Sequence, residues 1–188
     1  MIGFALCGSF CTVSDALKQL EGLCGQYEVQ GIVSEAVATT DTRFGRAADT
    51  LSKIEALTGR PVIRSIVEAE PLGPKRPLDA LIIAPCTGNT LAKMANGITD
   101  GTVTMAAKAH LRANRPLLIA LATNDALSGN LQNIGRLLSK KSVYFVPMRQ
   151  DDPKGKPHSL VADFEQIEKG LLAALGGVQL APLFLPQG

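Results

Sequence analysis

Two short polar stretches hold most of the residues that could do chemistry. Gly8-Ser9-Phe10-Cys11-Thr12 follows the apolar run Ile2 to Cys7, and Pro85-Cys86-Thr87-Gly88-Asn89-Thr90 follows the apolar run Leu81 to Ala84. In both, small and hydroxyl-bearing residues sit between a buried strand and the start of a helix. Such a turn presents free backbone N–H groups and the positive end of a helix dipole, which suits an anion. Thr87, Asn89 and Thr90 add side-chain donors and acceptors at the same place. The plain alternative is an ordinary strand–turn–helix with Thr87 as N-cap, and a turn-stabilising hydroxyl at Ser9.

The residues also narrow the anion. A dinucleotide fingerprint needs three glycines after the first strand so that the backbone can approach a pyrophosphate, and this turn has only Gly8. Glu35 stands about where a ribose-binding acid would lie, but it lacks the glycines that give it meaning. A P-loop is excluded because no Gly-Lys-Ser/Thr follows the turn. Ser9 and Thr12 ahead of a helix N-terminus suffice for a single phosphate monoester. A mononucleotide such as FMN therefore fits the two turns together better than NAD does. The four cysteines (Cys7, Cys11, Cys24 and Cys86) form no C-x-x-C pair and have no neighbouring histidine, so no metal site is expected. Cys7 and Cys24 read as small buried hydrophobes. Cys11 and Cys86 lie in turns and are expected to face one cavity, which alone does not give disulfide geometry.

The elements that must position these turns follow from apolar periodicity. Strands are expected at Ile2–Cys7, Val29–Val33, Val62–Ile63, Leu81–Ala84, Leu117–Ala122 and Val143–Val146, with Pro85 ending the fourth. Helices are expected after Thr12, from about Phe44 to Ile54, after Thr90 (with Leu91, Met94, Ala95 and Ile98 on one face), after Thr102, from about Gly129 to Ser139, and over 160–175 with Ser159 as its cap. A charged, flexible loop spans 148–159. An extended tail covers 178–188, where Pro182 and Pro186 bar a central strand. Alternating strands and helices predict one α/β domain over 1–188: a three-layer, doubly wound parallel sheet of about six strands in the order 3-2-1-4-5-6. In that order strands one and four meet at the switch point, and ligands bind outside their carboxyl ends. The two turns then flank one crevice. Ser34 with Glu35, and Thr123, Asn124 and Asp125, form its outer walls.

Bulk properties close off several classes. With 188 residues, 46% hydrophobic and 19% charged, the chain can bury a full core. A net charge of +2, with no Trp and two Tyr, argues against nucleic-acid binding. No apolar run is long enough for a membrane span, and the chain is expected to enter its first strand without a leader, which makes the cytoplasm the default.

PCTGNTLAKMANGITD resembles the PASANT-type motif of the flavoprotein family that includes the homo-oligomeric flavin-containing cysteine decarboxylases. GSFCT is similar to that family's phosphate turn after strand one, and Ser34-Glu35-Ala36 to its flavin-contacting exit from strand two. TTDTRFG (Thr39 to Gly45), EPLGPK (Glu70 to Lys75), TNDAL (Thr123 to Leu127) and YFVPM with the following DDP (Tyr144 to Pro153) resemble one branch of the family, and the resemblance covers nearly the whole chain. It implies a Rossmann-like flavoprotein fold and FMN as cofactor. It also implies a homo-oligomer and a separate dehydrogenase-like partner protein. With that partner the branch oxidises a dihydropyridine dicarboxylate (or its hydroxylated precursor) to the aromatic pyridine in sporulating bacteria.

Carried over by position, the resemblance puts the FMN phosphate at Ser9, Cys11 and Thr12. It puts the isoalloxazine near Ser34 and Pro85, Cys86, Thr87, Gly88, Asn89 and Thr90. A dicarboxylate calls for Arg or Lys, for which Arg43 is the first candidate and Lys75 and Arg76 the weaker ones. Asp125 is a candidate base or a turn-capping residue. The decarboxylases' histidine has no counterpart between strand two and the motif, since only His110 and His158 are present. Two further readings stand beside that of an oxidoreductase component. One is a non-catalytic protein that keeps the fold and stabilises the dehydrogenase-like partner. The other is a flavin-dependent decarboxylase, which the missing histidine disfavours.

Overall fold

A computed structural model describes residues 1–73, 75 and 78–186. Five parallel strands make the centre of the sheet: β1 (Ile2–Leu6), β2 (Val29–Val33), β3 (Ala80–Cys86), β4 (Leu117–Thr123) and β5 (Val143–Phe145). They lie in the order β2-β1-β3-β4-β5, with Ile2 opposite both Val29 and Ala80, and Leu117 opposite both Leu81 and Val143. The expected Val62–Ile63 strand is a single parallel bridge from Ile63 to Ile32, which completes the expected order at that edge. Only two residues lie between Pro61 and Arg64, too few for a ladder.

Helices cover both faces, which is why the strands read as unbroken apolar runs. On one side α1 (Val13–Cys24), α3 (Ala47–Thr58) and α8 (Ile167–Leu175) pack Leu17, Leu20, Ile54 and Leu171 onto Phe4, Leu6, Ile82 and Ala84. On the other, α5 (Gly88–Ala95), α6 (Thr102–Leu111) and α7 (Leu131–Leu138) pack Leu91, Val103, Ala106 and Ile134 onto Ala5, Leu81 and Ile83. Ile82 and Ile83 are fully buried, on opposite faces. Each contributes about 1.5–3 kcal/mol of transfer free energy. The short helices α2 (Glu35–Thr39) and α4 (Ile66–Ala69) are too brief to show a period in the sequence.

Three expectations are corrected. Pro85 does not end β3. The strand runs on to Cys86 through a register shift between Ile83 and Cys86, and the Pro85 carbonyl accepts the Cys7 N–H at 3.1 Å. A bulge is where a strand tolerates a residue with no N–H.

The last helix starts at Ile167, not 160. Leu160–Ala162 forms β7, which runs antiparallel to the end of β4 and to β6 (Met148–Arg149), so the segment 148–159 begins as a strand. Leu160-Val161-Ala162 fits a strand as well as it fits a helical stripe, and pairing on both sides decides the matter. Ser159 caps nothing.

Phe44 is 54% exposed and lies in a turn ahead of α3, not on its buried stripe.

The tail covers the sheet edge. Phe184 bridges to Met148, and the Gln179 amide both accepts from Phe145 N at 2.8 Å and donates to Phe145 O at 2.7 Å. Arg76, and 187–188 of the tail, lie outside the described residues.

Candidate functional site

The carboxyl ends of β1 and β3 meet at a cavity of about 390 Å³. Gly8 from the β1 turn, Ser34, Glu35 and Ala36 from the β2 exit, and Thr87, Asn89 and Thr90 from the β3 turn line it, as the sequence arranges them. Lys93 and the segment Asp100 to Thr104 complete the wall. Sequence reasoning misses those last residues, although the spacing holds a signal: Lys93 is four residues beyond Asn89 and so shares its helix face.

Three N-caps face this space. The Ser34 hydroxyl accepts from Val37 N at 3.4 Å, and Thr87 Oγ1 accepts from Thr90 N at 3.3 Å. Gly101 caps α6, its N–H donating to Thr104 Oγ1 at 3.1 Å. Thr87 thus keeps the capping role that its sequence suggests, while its helix still points its positive end at the cavity. Thr87 Oγ1 also donates to Thr90 Oγ1 at 3.1 Å, and Thr90 Oγ1 to Cys7 Sγ at 3.3 Å. Asn89 is exposed, and its side chain has no hydrogen-bond partner among the described residues. Lys93 pairs with Asp100, which holds the Asp100 carboxyl below the ordinary range.

At one point in each of the β1 and β3 turns an added Cβ would meet a neighbour closely. A Cβ on Gly8 would sit 3.3 Å from Ala36 Cβ and 3.4 Å from the Phe10 ring. A Cβ on Gly88 would lie 2.5 Å from Thr123 Oγ1, 2.6 Å from Asn130 Nδ2 and 2.9 Å from Asp125 Oδ1. These three side chains form one set beneath the turn. Thr123 Oγ1 donates to Asp125 Oδ1 at 2.6 Å, and Asn130 Nδ2 lies 2.9 Å from both carboxylate oxygens. The Thr123 hydroxyl, seconded by the Asn130 amide, keeps the Asp125 carboxyl low. Its oxygens are engaged in bracing the β3 turn against β4.

The other expected residues fall elsewhere. Cys86 is fully buried and does not share a cavity with Cys11. It lies near Cys7, and burial first, then that neighbour, push its thiol well up. Burial likewise lifts Cys7, to about 11. Pro85 is buried with Cys86. Cys11 opens into a separate cavity of about 240 Å³ shared with Phe10, Val37 and Phe44, and Thr12 into a cleft of about 520 Å³ that also holds Arg149. Ser9 and Thr12 bond each other at 3.2 Å.

Asn124 and Asp125 are exposed and outside the cavity lining. Arg43 is outside it too, its guanidinium 4.8 Å above the Phe44 ring. His110 is 1% exposed, with Nε2 2.9 Å from Pro116 O, and burial lowers its pKa. Among the described residues no histidine lines the cavity, and no cluster of three His, Cys, Asp or Glu could hold a metal. No helix among them is long and apolar enough to cross a membrane.

Comparison with known proteins matches this geometry to a family. The model of the family described as Flavoprotein matches residues 1–172. The B subunit of dipicolinate synthase from Bacillus subtilis (strain 168) is 48% identical over 185 residues, 98% of this chain and 92% of the relative. The crystal structure of the same B subunit from Bacillus halodurans C superposes with a TM-score of 0.91 at 45% identity, covering 100% of this chain and 96% of that one. The FMN-dependent cysteine decarboxylase SpaF superposes with a TM-score of 0.64 at 25% identity, covering 92% and 95%. With its doubly wound sheet, its capped turns at the switch point and these full-length matches, the chain belongs to the Flavoprotein family, and within that family it is similar from end to end to the B subunit of dipicolinate synthase.

Proposed function

We propose that this chain binds FMN in the cavity at the carboxyl ends of β1 and β3 and acts with a dehydrogenase-like partner, the A subunit of dipicolinate synthase. Together they oxidise dihydrodipicolinate, or its hydroxylated precursor, to dipicolinate in the cytoplasm of a sporulating mother cell. The observation that carries the reading is the convergence of the β3 turn, the β2 exit and the α6 N-terminus on one 390 Å³ space at the switch point. That volume is within the range of cofactor pockets.

The lining fits a flavin. Gly8 keeps its wall low, because a Cβ there would crowd Ala36 and Phe10. The Asn89 amide can both donate and accept toward a ring edge, and the N-terminal N–H groups of α5 face an electron-rich partner. Gly8, Ser34, Thr87, Asn89 and Thr90 would hold the group. Cys11 opens into the neighbouring cavity and Cys86 is buried, so neither is assigned a contact.

When bound, FMN supplies an acceptor for the hydride equivalent that leaves as the dihydropyridine becomes aromatic. Aromatisation drives the step, so the chain's own residues mainly hold the reactants in place. Asp125 is assigned a positioning role, because Thr123 and Asn130 occupy its oxygens. Decarboxylation is disfavoured for want of a histidine in the lining. A homo-oligomer and the separate dehydrogenase-like partner are parts of the same proposal.

The test is reconstitution with that partner, following pyridine dicarboxylate formation by its ultraviolet absorbance, with flavin-free and FMN-loaded protein. The proposal expects turnover to require this chain and to rise with FMN. Full turnover with flavin-free protein that refuses added FMN would favour a non-catalytic, stabilising role instead.

A further inference from the structure

Among the described residues that line the cavity, Lys93 is the one cation, while Glu35 and Asp100 are acids. Its Nζ lies 2.9 Å and 3.0 Å from the two oxygens of Asp100, so each is the other's charge partner. The end of α5 arranges this meeting. Gly97 adopts a left-handed conformation at φ +74°, and Ile98 N donates to Lys93 O at 2.9 Å, a reversal that carries Asp100 back beside Lys93.

The pair is not a buried strut. The Lys93 and Asp100 side chains are 31% and 57% exposed, a setting in which ion pairs add little to stability and exchange readily. An ammonium in a ligand-sized cavity, held by a displaceable internal carboxylate and sharing a helix face with the unpartnered Asn89, has the form of a carboxylate receptor. Other cations among the described residues lie elsewhere: Arg43 stacks on Phe44, Lys53 lines the smaller cavity, Arg149 pairs with Asp163 at 2.8 Å, and Lys75 is not in this lining.

We propose that Lys93 receives one carboxylate of a small dicarboxylate ligand in this cavity, and that Asp100 is the internal competitor the ligand displaces. The proposal rests on the reading of the cavity given above and adds a residue that holds a substrate carboxylate.

Calorimetric titration of the full-length chain with pyridine-2,6-dicarboxylate tests it, on wild type, K93M, K93R and D100N, with uncharged pyridine as the control ligand. K93M should weaken dicarboxylate binding about 10- to 100-fold, the worth of a charge-assisted hydrogen bond, and K93R should restore most of it. D100N should bind several-fold more tightly than wild type. These opposite directions separate ligand binding from structure, since both K93M and D100N break the same ion pair and a structural role would shift both alike. Equal affinity in wild type and K93M, a D100N that weakens with K93M, or a wild type that takes no dicarboxylate overturns the proposal. A parallel titration of wild type with FMN reports on the flavin reading independently, so failure of either is told from failure of the other.

Discussion

Gly88→Ala is the substitution whose cost the geometry states most fully. The added methyl would stand 2.5 Å from Thr123 Oγ1, 2.6 Å from Asn130 Nδ2 and 2.9 Å from Asp125 Oδ1. Thr123 and Asp125 border solvent and can turn away, but Asn130 is 5% exposed and also accepts from Asn133 Nδ2 at 2.9 Å. Overpacking costs about 1–3 kcal/mol, and a buried amide left without its partner about 1–3 kcal/mol more. Gly88 opens α5, so alanine returns less than the roughly 0.5–1 kcal/mol it gains in a helix interior. The net loss is about 1–6 kcal/mol, which for a chain of this size lowers Tm by roughly 2–24 °C. Thermal unfolding by circular dichroism measures it, with G22A as control, because a Cβ on Gly22 meets nothing within 4 Å and should leave Tm unchanged or slightly raised. A G88A protein as stable as wild type would refute the claim that this glycine lets the β3 turn rest on the β4 exit.

Two further outcomes follow from burial. At pH 8 a disulfide thiol reagent should modify the exposed Cys11 first and leave Cys7 and Cys86 untouched until the chain unfolds; rapid labelling of either would contradict the buried placement. His110 titrates lower in the folded chain than its unfolded value of about 6.5, so below that pH the unfolded chain binds a proton the folded one refuses. Its contribution is therefore intact above about pH 6.5 and is lost as pH falls toward the lowered folded value. Urea unfolding between pH 7.5 and 5 should show this slope in wild type and lose it in H110Q.

The sequence carried the sheet well because strands buried on both faces read as plain apolar runs, and the crossovers between them are helical. Of the residues it sets around the crevice, Gly8, Ser34, Thr87, Asn89 and Thr90 line one cavity, while Ser9, Cys11, Thr12 and Asn124 do not. What it hid were effects of register and of charge. The shift between Ile83 and Cys86 changes which side of β3 Cys86 presents, so a residue that reads as crevice-facing is core. Leu160-Val161-Ala162 has too few residues to tell a strand from a helical stripe, and its partners at 122–123 and 148–149 are remote in sequence. Lys93 and Asp100 stand seven residues apart with nothing in the sequence to join them, and the Gly97 reversal brings them together at the cavity. Arg43 reads as the better carboxylate ligand because it follows the β2 exit, but the turn of 42–45 carries it away.

The central claim is that the cavity at the carboxyl ends of β1 and β3 is a flavin site. Titration of the purified full-length chain with FMN, followed by quenching of flavin fluorescence and a shift in the visible spectrum, tests it most directly. The account predicts saturable uptake of one FMN per chain, weakened by Gly8→Val, which would crowd the wall against Ala36. A folded chain that leaves FMN fluorescence unquenched, or a Gly8→Val variant that is folded and binds FMN as wild type does, would contradict it.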